Sequence, residues 1–202
     1  MKTQVKYLVL AGAAAALAGC GGSGGTTLTT APTYAQLLDR ATTMADDTGV
    51  IDSNTGELIG TERTVVPTSG TADYKGYVGG EVDGGGFIGE LTLTADFSGG
   101  GSVSGSATNF QHETNGAYTG ALAMPSTGIS ANLAGDQEFA GTLSGDLTND
   151  GTVNATNIAL TGYFFGGTDD ALTQPTTAAG YADGTVGGTL LNDGIFIATQ
   201  TP

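Results

Sequence analysis

Two patterns of apolar positions divide the chain. Between Thr33 and Asp47, apolar residues recur three or four positions apart, which places them on one face of an α-helix. Thr33 is a suitable N-cap for this helix. The apolar residues on this face are Tyr34, Leu37, Leu38, Ala41 and Met44. From about Leu58 onward apolar and polar residues alternate, which indicates strands that bury one face. The sequence therefore predicts a short helix packed on, or plugging, a β domain.

The alternation is clearest from Gly89 to Phe97, where leucine, alanine and phenylalanine take one face and glutamate, threonine and aspartate the other. It recurs after residues 139 and 184, each time with an Asn-Asp-Gly segment that signals a hairpin. The predicted strands are 71–80, 87–97, 102–109, 118–124, 128–133, 137–147, 152–165 and 184–199. The last run is open to folding as a hairpin.

Short successive strands without helical crossovers favour a sandwich or a closed barrel. Closure is favoured because it leaves no strand edge exposed in a chain with few lysines to guard one, and eight strands form a small barrel that side chains can fill. The predicted fold class is all-β, an eight-stranded antiparallel β-barrel with a short N-terminal helix. A membrane-spanning barrel is not expected, because the outer face of the clearest strand is Glu90, Thr92, Thr94 and Asp96.

The charge and the residue composition exclude several classes of function. The chain has 202 residues, with 5 Lys and Arg against 20 Asp and Glu, and a net charge of -15. Such a field repels phosphate backbones, so nucleic acid is not an expected partner. One Cys and one His exclude a disulfide framework and a Cys/His zinc site. The 36 glycines fit turn-rich β structure.

The N-terminal segment is typical of an export signal. Lys2 and Lys6 precede an apolar run from Tyr7 to Leu17, which is shorter than a membrane span. The run closes on Leu-Ala-Gly-Cys20, which resembles the lipobox of bacterial lipoproteins. The resemblance implies removal of residues 1–19 as a signal peptide and acylation of Cys20, which would anchor the chain to a membrane. The alternative is an ordinary secreted protein with a chance cysteine near the cleavage site.

The remaining chain divides into three parts. Residues 20–32 are rich in Gly, Ser and Thr and are predicted to form a lipid-anchored flexible tether. Residues 33–57 are predicted as the short helix and a loop, and residues 58–202 as the barrel. Gly21 stands where lipoproteins retained in the inner membrane usually carry Asp, so the lipobox resemblance implies the outer membrane. Display on the cell surface is favoured over the periplasmic face.

Three groups of residues resemble the barrel of transferrin-binding protein B. The segment 70–76 resembles its opening strand, 91–105 its central hairpin, and 162–166 with 187–198 its closing strands, so the resemblance spans residues 70–199. It implies an eight-stranded barrel on a surface lipoprotein that dedicated outer-membrane export machinery delivers. Family members bind transferrin, complement regulators, haemoglobin or haem. With one barrel and one helix, this chain resembles the small solute-binding-like members, for which the family supplies a fold but no ligand.

Four residues are candidate ligand contacts: His112, Tyr118, Tyr163 and Tyr181. His112 lies in a predicted loop, where it would ligate haem iron with Tyr118, Met124 or Tyr163 as second ligand or stacking partner. The alternative, which we favour, is a solvated loop histidine. Tyr163 and Tyr181 belong to a set of aromatic residues that would anchor a protein partner at the barrel rim. The alternative for that set is barrel filling. The full set is Tyr74, Tyr77, Tyr163, Phe164, Phe165 and Tyr181.

Catalytic and metal chemistry is not expected. Asp146 to Gly151 faintly resembles a calcium loop, but Thr148 occupies a ligand position, so a hairpin turn is the better interpretation. Asp169 and Asp170 are interpreted as loop residues. Glu81 and Asp83 have nothing in the sequence to separate their pKa values, and no Gly-x-Ser-x-Gly elbow is present.

The sequence thus favours a non-catalytic binding protein on the outer membrane. In this hypothesis acyl chains on Cys20 hold the barrel, and loops at one barrel end capture a host or environmental ligand, with iron or haem acquisition as one case. The first alternative is a scavenger of haem or a small solute in the barrel mouth. The second is a surface-coat or adhesion protein without a small ligand, whose acidity provides solubility.

Overall fold

The computed structural model describes residues 31–202. The predicted signal peptide, Cys20 and almost all of the predicted tether lie outside this range. The elements are α1 (Tyr34–Thr48), β1 (Thr71–Val82), β2 (Gly85–Asp96), a 3-10 turn (Ser98–Gly100), β3 (Ser102–His112), β4 (Gly116–Ala131), β5 (Gln137–Asn149), β6 (Thr152–Phe165), β7 (Thr177–Val186) and β8 (Thr189–Gln200). Each strand pairs antiparallel with the next, and β1 pairs with β8. The predicted eight-stranded antiparallel barrel with one short helix is confirmed.

The barrel interior is filled by the apolar half of each alternating strand. On β2, Leu91 and Leu93 are buried, whereas Thr92 and Asp96 face outward and are exposed. The largest interior side chains are aromatic: Tyr74, Phe87, Phe97, Phe110, Phe139, Phe164 and Phe196. Barrel filling is therefore the role of Tyr74 and Phe164, as the alternation predicted for part of the aromatic set.

Glycines give these rings their space. Gly162 on β6 lies opposite Phe139 on β5 and Gly180 on β7. A Cβ atom at Gly162 would lie 2.4 Å from the Phe139 ring and 2.6 Å from the Phe196 ring, closer than carbon atoms approach. Small residues on the strands are thus required by the large rings that fill a narrow barrel.

Three of the predicted runs do not each correspond to one strand. The runs 118–124 and 128–133 form the single strand β4, because a bulge between Ala123 and Ile129 lets Pro125 remain within a strand. The run 184–199 contains a hairpin, as was left open for it, but the first strand of that hairpin, β7, already begins at Thr177. The hairpin turn is Gly187-Gly188, both at positive φ, and not Asn192 to Gly194, which forms a bulge in β8.

Helix α1 lies on the outside of the barrel, against β1, β2 and β8. It begins at the predicted cap, where Thr33 and Gln36 form a capping box, and ends at Gly49 in the left-handed conformation. The following residues Val50 and Ile51 join Ala45 in a second apolar cluster on the outer wall. The helix is therefore packed on the barrel, and it does not plug it.

The two barrel ends differ. The turn end carries the tight connections 83–84, 113–115, 150–151 and 187–188. The loop end carries the longer connections 97–101, 132–136 and 166–176. Residues 60–70, which we call the strap, cross the loop end before β1 begins and place Val66 against the interior cluster. The strap belongs to the predicted barrel domain but forms no strand of the barrel.

Candidate binding surfaces

His112 is the last residue of β3 and is buried, so its predicted loop placement and solvated environment were wrong. The backbone N–H groups of Thr114 and Asn115 each donate to its Nδ1 at 3.2 Å. Nδ1 must therefore be the unprotonated nitrogen, and Nε2–H donates to the Val82 carbonyl at 2.8 Å. With both ring nitrogens bonded to the backbone, the imidazole ties the turn after β1 to the turn after β3.

Tyr118 lies near His112 inside the turn end. Its ring packs edge-on against Phe87 with 5.4 Å between centroids, and Phe87 stacks on Phe110 at 5.1 Å. The His112 ring lies 6.5 Å from Phe87 on the same side. The structure thus brings these two candidate residues together, but as buried members of one aromatic cluster. An iron ligand at His112 would displace hydrogen bonds that hold two turns.

Tyr163 and Tyr181 meet on the outer wall, far from His112. Tyr163 on β6 lies opposite Glu138 on β5 and Ala179 on β7, and Tyr181 projects beside it with 45% of its surface exposed. Burial, followed by the neighbouring Glu138 carboxylate, raises the pKa of Tyr163 to about 12. Glu62 of the strap adds to that effect. We call Glu62, Glu138, Tyr163 and Tyr181 the tyrosine patch.

Arg63 organises the loop end, and sequence reasoning missed it. Its side chain is 2% exposed. Nη1 donates to the carbonyls of Thr173 at 2.8 Å and Gly166 at 3.4 Å, and Nη2 donates to that of Asp170 at 2.7 Å. Nε lies 3.7 Å from Oδ1 of Asp169. A signal was present, because Arg63 is one of only five Lys and Arg residues in the chain.

Asp169 and Asp170 complete this arrangement. Asp169 accepts hydrogen bonds from the backbone N–H groups of Thr64 and Val65 and from the Thr64 hydroxyl. Asp170 accepts from the N–H groups of Leu172 and Thr173. These bonds hold the pKa of each carboxyl below its usual value. Asp169 therefore ties the 166–176 loop to the strap, and Asp170 closes a turn within that loop, in agreement with their interpretation as loop residues.

The remaining candidate chemistry resolves into turns. Asp150 and Gly151 form the tight turn between β5 and β6, both at positive φ, as predicted. Glu81 lies next to the last residue of β1, and Asp83 occupies the turn that follows. Within residues 31–202, no group of three His, Cys, Asp or Glu side chains is arranged to hold a metal ion.

Two depressions lie on the outer surface of the molecule. A groove of 680 Å³ runs between the end of α1 and the loop end, and Phe165 forms part of its lining. A cleft of 260 Å³ separates strap residues 64–68 from Gly100 and Gly101. The barrel interior is occupied by side chains, and the second depression reaches the interior ring of Phe97 at the loop end.

Comparisons with known proteins add no family to this fold. A scan against protein-family models and a search of curated proteins both found no match. The class that the structure defines is a closed, filled, eight-stranded up-and-down β-barrel with an external helix. No helix in the described part of the chain is long and apolar enough to span a membrane.

Proposed function

We propose that this protein is an outer-membrane lipoprotein, similar to the barrels of transferrin-binding protein B, that binds a host or environmental ligand without catalysis. The observation that supports it best is the combination of a filled interior with a loop end that a buried arginine holds in one conformation. A filled barrel leaves its outer surface for binding. Ordered loops lower the entropy lost when a ligand docks.

The membrane would be reached through Cys20. The Leu-Ala-Gly-Cys20 segment supports acylation, and the apolar residues of the barrel strands face inward while exposed outer positions carry charged side chains such as Asp96 and Asp183. In this proposal the barrel stands in water beside the membrane, and export machinery for outer-membrane lipoproteins delivers it to the cell surface.

Haem or solute capture inside the barrel mouth receives less support. The strap and the Arg63 side chain occupy the loop end, and the turn end contains the buried His112 and Tyr118. A ligand in either position would have to displace protein. We therefore place ligand capture on the exterior.

The experiment compares intact cells that express the full chain or Cys20→Ser. Radiolabelled palmitate should enter the first protein only, globomycin should block its processing, and protease added outside should digest it. Purified protein should then bind a component of host fluid or culture medium saturably. Unchanged processing of Cys20→Ser, protection from protease, or a deletion strain that loses only adhesion while the protein binds nothing would contradict the proposal.

A further inference from the structure

Three large apolar side chains project from the loop end. Leu133 in the 132–136 turn and Leu172 in the 166–176 loop are essentially fully exposed, at 110% and 92%, and Val65 of the strap is 38% exposed. Single exposed apolar residues are common, but three on separate segments of one barrel end mark a surface for interaction.

The backbone around each of these side chains is held by hydrogen bonds. The Val65 N–H donates to Asp169, and the Leu172 N–H donates to Asp170. The turn that carries Leu133 is closed by the Asn132 N–H bonded to the Asp136 carbonyl at 2.9 Å. Apolar residues on ordered loops contribute binding energy without the ordering cost that mobile loops incur.

Hydrogen bonds connect these segments to the tyrosine patch. The Gln137 N–H donates to the Arg63 carbonyl, and its amide donates to the Thr64 carbonyl. Thr64 is bonded in turn to Asp169, while Glu138, the residue after Gln137, lies beside Tyr163. The three apolar side chains and the patch thus border one continuous structure, which we call the docking surface.

The charge of the docking surface is negative. Its segments carry Glu62, Asp136, Asp169 and Asp170, and their arginine, Arg63, is buried. An anionic lipid surface or a second copy of this acidic chain would be repelled. A protein with apolar side chains bordered by Lys and Arg would match both the apolar and the charged groups.

The course of the chain points this surface away from the predicted anchor. The first turn of α1 lies at the turn end, where Tyr34 packs over Gly86 and its pKa is raised by burial and by Glu113. Strands of 12 residues, such as β1 and β2, tilted in a small barrel, span about 30 Å. The loop end therefore lies about that distance from the point where the chain enters α1, at the opposite end of the barrel.

We infer that the docking surface binds a protein that presents an apolar patch bordered by Lys and Arg side chains. This inference rests on the proposed binding function and adds the surface and the chemistry of the partner. Leu133, Val65 and Leu172 fill the apolar contact, and the carboxylates around them pair with the cationic border.

The test uses a synthetic helical peptide of leucine and lysine as the probe, with its affinity measured by fluorescence anisotropy on the full chain. The double variant Leu133→Ser/Leu172→Ser removes two exposed side chains and should weaken binding at least about tenfold. The matched control is Val153→Ser/Leu190→Ser, two apolar residues each 63% exposed near the turn end. The affinity of this control variant for the peptide should stay within about twofold of that of the wild-type protein.

Specificity comes from two further probes. A peptide with Glu in place of Lys and one with Ser in place of Leu should both bind more weakly. Equal loss in both double variants, equal binding of the Glu peptide, or no binding at all would overturn the inference. Loop-end-dependent binding to phosphatidylglycerol vesicles, or dimerisation that the Leu133/Leu172 variant abolishes, would overturn it in favour of a membrane or a second copy. If the variant still captures the host component, the proposed function stands and this inference alone fails.

Discussion

At the residue scale, His112 shows how a rare side chain is used for structure. Its two nitrogens serve three backbone groups on both sides of the turn end, an arrangement that one neutral imidazole tautomer can satisfy. A solvated histidine would have no such partners. His112, which the sequence suggested as an iron ligand, therefore has both ring nitrogens occupied by backbone groups of the protein itself.

Replacing His112 with Ala should destabilise the barrel by about 2–4 kcal/mol, because it removes the shared acceptor and leaves a cavity. Urea unfolding at neutral pH measures the loss, and Val153→Ala, an exposed change near the same end, should cost less than about 0.5 kcal/mol. Haem added to folded wild type and folded variant should give the same Soret band. A His112-dependent shift would restore the haem hypothesis.

Asp170 allows a pH test of the loop end. Its pKa is lowered in the folded state, chiefly by the Leu172 and Thr173 N–H groups, so its charge stabilises the fold above the unfolded pKa. That contribution begins to be lost when the pH falls below the pKa of the unfolded state, about 4, and is gone once the pH is below the pKa of the folded state. Asp170→Asn should therefore be less stable than wild type at pH 7, with a gap that closes toward pH 2. A gap independent of pH would show that the charge contributes nothing.

At the element scale, close packing of strands and rings decides where glycine is required. Gly162→Ala would press a methyl group into two aromatic rings and should cost about 1–3 kcal/mol. Gly128→Ala on β4 is the matched control, since a Cβ atom there meets nothing within 4 Å. Chemical denaturation of both variants provides the comparison. Equal stabilities would mean that the core relaxes around Gly162.

The strap and the 166–176 loop form one unit around Arg63. Arg63→Met should leave three carbonyl oxygens without their donor and lower stability by roughly 3 kcal/mol. Hydrogen exchange should accelerate mainly at residues 166–173. Lys75→Met removes an equal charge from an exposed position on β1, and it should neither lower stability to this extent nor accelerate exchange at residues 166–173. Uniform acceleration across all strands in the Arg63 variant would refute a local role.

The element pattern also shows what the sequence could predict. Period-two alternation was sufficient for β1, β2, β5 and β6, because one face of each strand is buried, and the Asp150-Gly151 turn between β5 and β6 was predicted because it requires positive φ. β7 was missed between 177 and 183, where alanine and glycine replace large apolar residues. The Asn-Asp-Gly segment at 192 was misread because a bulge uses the same left-handed conformation as a turn.

At the scale of the whole molecule, charge opposes compaction. Arg40, Arg63 and Lys75 supply the positive charge of residues 31–202, and Arg40 pairs with Glu90 at 3.9 Å. The same range holds all 20 Asp and Glu residues of the chain, so 17 negative charges are left uncompensated and repel one another within the fold.

Sodium chloride should raise the melting temperature by a few degrees between about 0.01 and 0.2 M, as the screening length shortens. Differential scanning calorimetry measures the shift, and uncharged sucrose at equal osmolality controls for exclusion effects. A falling melting temperature would show that the ion pairs outweigh the repulsion.

The candidate surfaces were less predictable than the fold. Tyr163 and Tyr181 were named from their chemistry, and the strand register that joins them is a property of the folded sheet. The loop end depends on contacts between residues such as Arg63 and Thr173 that lie far apart in the chain. No local pattern encodes such a pair, because its geometry exists only after the barrel has closed.

The pairing of β1 with β8 has a consequence for biogenesis. Seven hairpin contacts form between neighbours in the chain, but Gly76 finds Ala198 only after nearly the whole polypeptide has been synthesised. Until then both terminal strands keep open hydrogen-bonding edges, and no intermediate has the stability of the finished cylinder. Such a chain would remain threadable through a translocation pore until its last strand emerges, which is compatible with the export that we propose.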